Sequence, residues 1–263
     1  MAATLEHALD LGGQAVLVTG GTKGVGRGIA ERFLDAGADV AVSARNEPDT
    51  EVSSQGRVAA FHACDVRDPD QLEALVSSVI RGCGRLDVLV NNAGGSPSAE
   101  AATASPRFSE SIIRLNLLAP LNLSQLANAQ MQTQHEGGSI INIGSLSGMR
   151  PSPWTAAYGA AKAGLLNLTQ SLAIEWAPKV RVNCVSGGYI LTEQSGLHYG
   201  DEDGLRRVAE TVPMRRLADP TDIGDACLFL ASPLARHITG ANLTVHGGGE
   251  VPPFLAASGL GGG

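Results

Sequence analysis

Short apolar runs alternate along this chain with longer stretches in which apolar residues recur every three or four positions. The runs predict strands at Ala15–Thr19, Asp39–Ser43, Val58–His62, Val88–Asn91, Ser139–Ile143, Val180–Val185 and Asn242–Val245. Most are almost wholly apolar, as strands covered on both faces by helices require. The intervening periodic stretches predict helices over Gly24–Ala36, Pro69–Arg81, Pro106–Thr133, Trp154–Trp176 and Pro220–Ala231. Strand and helix in strict alternation point to an α/β fold. The expected form is a Rossmann-type, doubly wound parallel sheet of about seven strands with right-handed crossovers.

Two stretches break the regularity. Thr192–Pro213 is polar, contains glycine and is only partly helical in pattern, which suits a mobile substrate loop or lid. The tail Val251–Gly263 carries Val251, Phe254, Leu255 and Leu260 among small residues, which fits a frayed terminus or packing on a neighbouring subunit. No linker or internal repeat divides the chain, so one domain over residues 1–263 is expected.

Bulk composition narrows the function. A net charge of -7 and the absence of any Lys/Arg run disfavour a nucleic-acid surface. No apolar stretch reaches the length of a membrane span, and Met1–Gln14 lacks the pattern of a signal peptide, so a cytoplasmic protein is expected. Cys64, Cys83, Cys184 and Cys227 are scattered, which reads as buried reduced thiols, and the histidines show no metal-ligand spacing.

The first strand runs directly into Gly20-Gly21-Thr22-Lys23-Gly24-Val25-Gly26, after which a helical pattern opens. A strand, a glycine turn and a helix N-terminus together present backbone N–H groups to an anion, and the glycines let a pyrophosphate approach. At the end of the second strand, where an NAD site usually offers a carboxylate to the ribose 2′-hydroxyl, stand Ala44 and Arg45. Nothing there repels a 2′-phosphate; Arg45 and Lys23 would clamp one. NADP(H) is therefore the preferred cofactor, with NAD(H) the alternative.

Further along, Tyr158 follows Ser145 by thirteen positions, and Lys162 lies four beyond it. A phenol with an ordinary pKa of about 10 is a poor acid or base near neutrality. Residues four apart share a helix face, so the Lys162 ammonium would stand beside the Tyr158 hydroxyl and lower its pKa. Asn116 lies in the long helix Pro106–Thr133, four residues before Pro120. Proline has no N–H, so the Asn116 carbonyl loses its helical partner and is free to hold a water.

With Thr19–Gly26, Asn91-Asn92-Ala93-Gly94, Ser145, Tyr158 and Lys162 in this order, the chain resembles the short-chain dehydrogenase/reductase superfamily. The likeness is to the branch of 3-oxoacyl-carrier-protein reductases and hydroxysteroid dehydrogenases, over essentially residues 10–250. It implies that Tyr158 is the acid in reduction and the base in oxidation. Lys162 would lower its pKa and hold the nicotinamide ribose, and Ser145 would steady the substrate oxygen. A water on the Asn116 carbonyl would extend a proton path from Tyr158 through the ribose and Lys162. Further cofactor contacts are implied at Gly20, Thr22, Gly24, Val25, Gly26, Asp65, Val66, Asn92, Ala93, Gly94, Gly188, Ile190 and Thr192.

The chain departs from the family pattern at Gly187, where a proline is common, and at His246, where an aspartate is common. The first change is expected to loosen the turn before the lid; the second puts the usual contacts there in doubt. The expected substrate pocket is Gly95, Ser96, Leu146, Trp154, Tyr189 and Leu191 with the 192–213 loop. That mostly apolar set suits a hydrophobic substrate, an acyl thioester or a steroid-like ketone. The resemblance implies a homodimer or homotetramer. Two rival readings are an enoyl-type reductase of C=C bonds and a non-catalytic NADP-binding sensor; filled catalytic positions disfavour the second.

Overall fold

β1 (Ala15–Thr19) is buried along its whole length in the computed structural model, which describes residues 8–258. Val16 and Val18 face one apolar core and Leu17 faces another, as the period of two demands of a strand covered on both sides. β2 (Asp39–Ala44) and β6 (Val88–Asn91) flank β1 in parallel register. With β5 (Ala60–Ala63), β7 (Gly138–Ser145), β8 (Val180–Gly187) and β9 (Asn242–Val245), the order is β5-β2-β1-β6-β7-β8-β9. The chain steps outward from β1 to β2 and β5, then returns to β6 on the other side. That reversal opens a crevice at the carboxyl ends of β1 and β6, where parallel sheets bind ligands.

α1 (Gly24–Asp35) and α8 (Pro220–Ala231) cover one face with Ile29, Phe33, Ile223 and Leu230. Their approach depends on two glycines: a Cβ on Gly28 would lie 2.5 Å from the Pro220 side chain, and one on Gly224 would lie 2.9 Å from the Gly28 carbonyl oxygen. The other face carries α2 (Pro69–Cys83), α4 (Ala119–Met131) and α5 (Ala156–Trp176), which bury Leu72, Val76, Leu123 and Leu172. Both ends of α2 are written locally. Asp68 caps its first amides, Pro69 opens it, and left-handed Gly84 (φ 74°) closes it.

Several elements differ from expectation. The strand expected over Val58–His62 is split: Arg57–Val58 (β4) forms a hairpin with β3 (Ser53–Ser54), and only β5 joins the main sheet. The helix expected over Pro106–Thr133 is α3 (Pro106–Ile113), a π turn at Arg114–Leu118, and α4. Pro120, second in α4, cannot donate to the preceding turn. The π turn just before it lets the Ala119 N–H reach the Arg114 carbonyl and leaves Asn116 fully buried. α5 starts two residues later than expected because Trp154 has φ 65°, outside helical space.

Gly187 is no loose turn. It is buried as the last residue of β8, in register with Ser145 on one side and Val245 on the other. A Cβ there would lie 2.8 Å from Ile190 Cδ1, so close packing rather than mobility accounts for this glycine. The 192–213 segment folds into α6 (Gly196–Tyr199) and α7 (Glu202–Thr211). The tail contains α9 (Pro253–Ala257), while the expectation for residues 259–263 lies outside the described residues. Cys64, Cys184 and Cys227 are buried, whereas Cys83 is exposed at the end of α2. Among the described residues no helix is long and apolar enough to cross a membrane.

Candidate active site

The glycine turn is tied to the end of β6 by side-chain bonds. The Thr19 hydroxyl oxygen accepts from the N–H groups of Asn92 and Ala93, both at 3.0 Å, and the Asn92 amide donates to the carbonyls of Thr19 and Gly20. A Cβ on Gly26 would lie 2.1 Å from the Gly20 carbonyl oxygen, so only glycine lets α1 start this close to β1. Thr22, Lys23, Gly24 and Val25 line the resulting cleft together with Asn92, Ala93 and Gly94.

Asn116 grips the strand extension opposite. Its Oδ1 accepts from Gly95 N at 2.9 Å, and its Nδ2 donates to Gly95 O at 3.0 Å and to Ile112 O at 2.9 Å. A side chain on Gly94 would put its Cβ 2.7 Å from Asn116 Oδ1 and 3.4 Å from Lys162 Nζ. Both groups thus converge on that glycine.

Ser145 ends β7, and its Oγ accepts from Ser147 N at 3.1 Å. Tyr158 and Lys162 lie on adjacent turns of α5, with Lys162 Nζ 5.6 Å from the centre of the Tyr158 ring. Lys162 is buried and donates to the Ile143 carbonyl at 2.7 Å. Burial pushes its pKa down to about 8. Tyr158 does not show the lowered pKa expected beside an ammonium. Desolvation pushes the phenol above its ordinary range, and its hydrogen bond with Ser145 opposes this only in part. Lys162, itself pushed down to about 8, has given up its proton in the range where this phenol ionises, so it lends the phenolate no charge.

The cleft holding these groups encloses about 520 Å³ and includes Gly20, Gly26, Arg45, Asp65, Val66, Gly188, Ile190 and Thr192 along with the catalytic candidates Ser145, Tyr158 and Lys162. Of the expected substrate-pocket residues only Gly95 lines it; Ser96, Leu146, Trp154, Tyr189 and Leu191 do not. Trp154 is exposed, Leu191 lines an outer groove, and the Tyr189 hydroxyl donates to Glu250. His198 and Tyr199 on α6 take their place, with the Tyr199 ring set edge-on against Tyr189 at 5.7 Å. No sequence motif marks these two; only their position in the segment after β8 hinted at them.

At the outer end, Arg45 and Lys23 are exposed and line both the cleft and the adjoining groove. The Asp65 carboxylate is taken by Arg67, at 2.5 Å, which holds it below the usual carboxylate range. Behind the site lies a buried polar chain absent from the sequence reading. The Asn91 amide donates to Asn142 Oδ1 and Ser124 Oγ, and the Asn142 amide to Thr169 Oγ1, all at 2.9 Å. His246 closes a local turn, its Nδ1 accepting from Gly248 N at 3.2 Å.

A family sequence model described as enoyl-(acyl carrier protein) reductase matches residues 20–250. The chain belongs to the short-chain dehydrogenase/reductase superfamily. It is 35% identical over 243 residues to a 3-oxoacyl-(acyl-carrier-protein) reductase of Vibrio harveyi, covering 91% of this chain and 98% of that one. It is 36% identical over 247 residues to an L-fucose dehydrogenase of Oryctolagus cuniculus, covering 91% and 86%. The solved aldohexose dehydrogenase of Thermoplasma acidophilum superposes with a TM-score of 0.84 at 32% identity, covering 91% of this chain and 94% of that one. As a member of this superfamily the protein is an oxidoreductase acting between CH–OH and C=O groups.

Proposed function

We propose that the protein is a carbonyl reductase that uses NADP(H) in preference to NAD(H), interconverting a ketone and a secondary alcohol on a hydrophobic substrate of acyl-thioester or steroid-like type. One observation carries the reading: Ser145, Tyr158 and Lys162 open into the same cleft as the glycine turn and Gly94. The residues present fit a dinucleotide. The Gly24 N–H already binds an oxyanion, the Glu193 carboxylate at 3.0 Å, and Lys23 and Arg45 flank the place for a 2′-phosphate. When bound, NADP(H) supplies or accepts the hydride.

The chain's own residues do the rest. Ser145 Oγ and the Tyr158 hydroxyl hydrogen-bond the substrate oxygen and polarise it. Tyr158 gives that oxygen its proton in reduction and removes it in oxidation. Lys162, released from Ile143, would hold the nicotinamide ribose and favour the phenolate, which offsets the desolvation that raises the phenol pKa in the free protein. The Asn116 side chain keeps Gly95 in place, and its backbone carbonyl, within the π turn, is suited to a water that refills the proton path.

Leu115, Ile190 and Tyr199 give the substrate end of the cleft apolar walls, which supports a hydrophobic substrate. His198 at the same wall supports a second reading, a polyhydroxy substrate, in line with the sugar dehydrogenases among the relatives. The Ser145–Tyr158 hydroxyl pair favours carbonyl over enoyl chemistry. Exposed Leu118 and Ile174 support a dimer or tetramer. The test follows NADPH consumption with panels of 3-oxoacyl thioesters, steroid ketones and enoyl thioesters and, in the reverse direction, NADPH formation from NADP with free sugars. Turnover of enoyl thioesters alone would reject the carbonyl assignment.

A further inference from the structure

Glu193 makes a contact that the catalytic scheme does not use. Its Oε1 accepts from Gly24 N at 3.0 Å, across 169 residues of sequence. Gly24 is the first residue of α1 and has a left-handed φ of 52°. Its N–H is among the unpaired donors at the positive end of that helix. Among the described residues, no ion pair holds Glu193, so the backbone amide is what fixes its carboxylate.

The carboxylate is aimed by a braced turn. Thr192 N donates to Ser195 Oγ at 2.7 Å, and Ser195, buried, donates to the Ile190 carbonyl at 3.1 Å. Thr192 also packs over the glycine turn: a Cβ on Gly24 would lie 3.5 Å from Thr192 Cγ2. A diphosphate lying on this turn would claim the same N–H. One N–H cannot fully serve two anions, and the two negative charges repel each other.

We propose that Glu193 is an internal competitor for the diphosphate: its carboxylate occupies the phosphate cradle of the free protein and must leave before a dinucleotide is seated. The proposal rests on the dinucleotide reading given above. Binding is weakened by the fraction of molecules in which the cradle is already taken. Weak phosphate ligands are excluded, while a dinucleotide gains enough other contacts to displace the side chain. Because Glu193 sits at the start of the segment bearing α6, its release also frees the lid at that end.

The test compares wild type with Glu193→Gln, which removes the charge and keeps an acceptor, and Glu193→Ala, which removes both. Glu193 is exposed, so both variants fold. Titrations with NADPH and with inorganic pyrophosphate at low and high salt should give Kd values about five- to tenfold lower in both variants at low salt. The advantage should shrink at high salt as screening grows. In the absence of ligand, the Gly24 amide should exchange its hydrogen faster in Glu193→Ala than in wild type. Tighter pyrophosphate binding by variants that take up neither NADPH nor NADH would uphold the competitor and reject the dinucleotide reading. Unchanged or weaker binding of both probes, or equal exchange at Gly24, overturns the proposal.

Discussion

Lys162 Nζ donates a 2.7 Å hydrogen bond to the carbonyl oxygen of Ile143, holding the amine beneath Tyr158 and away from water. Its pKa falls to about 8 because burial disfavours the ammonium. Below that pH the lysine is protonated in both folded and unfolded chains, and the folded state bears the whole desolvation cost. Between about 8 and the ordinary value near 10.4 the unfolded chain keeps the proton and the folded one gives it up, so stability rises with pH. Relative to Lys162→Met, wild type should therefore gain up to about 3 kcal/mol between neutral pH and about pH 10. Urea unfolding of both proteins across that range checks the sign. A gap independent of pH would mean the lysine is not buried in solution.

Tyr158→Phe removes the proposed proton donor and leaves the ring. Turnover should fall about a thousandfold while NADPH binding, followed by fluorescence titration, changes little. Retained activity would overturn the acid assignment.

Asn116→Leu would remove the carboxamide that pairs both Gly95 backbone groups in a part-buried setting. The expected loss of stability is about 1–3 kcal/mol, read from denaturant unfolding. This holding task belongs to the side chain and is separate from any water on the Asn116 carbonyl.

Arg45→Ala should raise the Kd for NADPH about tenfold and leave that for NADH nearly unchanged, because only the former carries a 2′-phosphate for the guanidinium. Equal effects on both cofactors would assign Arg45 to the adenosine and remove the basis for NADP preference. Parallel titrations with the two reduced cofactors decide it.

The sequence was most legible where one local rule dominates. Ala15–Thr19, Val88–Asn91, Asn242–Val245 and Pro220–Ala231 fall where their apolar pattern, caps and proline predict. The Pro106–Thr133 stretch was misread because its apolar period continues through Arg114–Leu118, where the backbone takes a π turn ahead of Pro120. Glycine was ambiguous in the same way. Gly187 looked like a loosened turn, yet it is a strand residue pressed against Ile190.

Side-chain period and glycine spacing alone determined the parallel sheet, the glycine turn and the helix face shared by Tyr158 and Lys162, because each depends on residues close in the chain. Tertiary structure decided what depends on partners far away. It set Lys162 on Ile143, Asn116 on Gly95 and Glu193 on Gly24, and it exchanged Trp154 and Leu191 for His198 and Tyr199 at the cleft wall. A pKa follows the atoms that surround a group, and a cleft wall follows the path of the segment after β8; neither is encoded in the spacing of residues along one strand or helix.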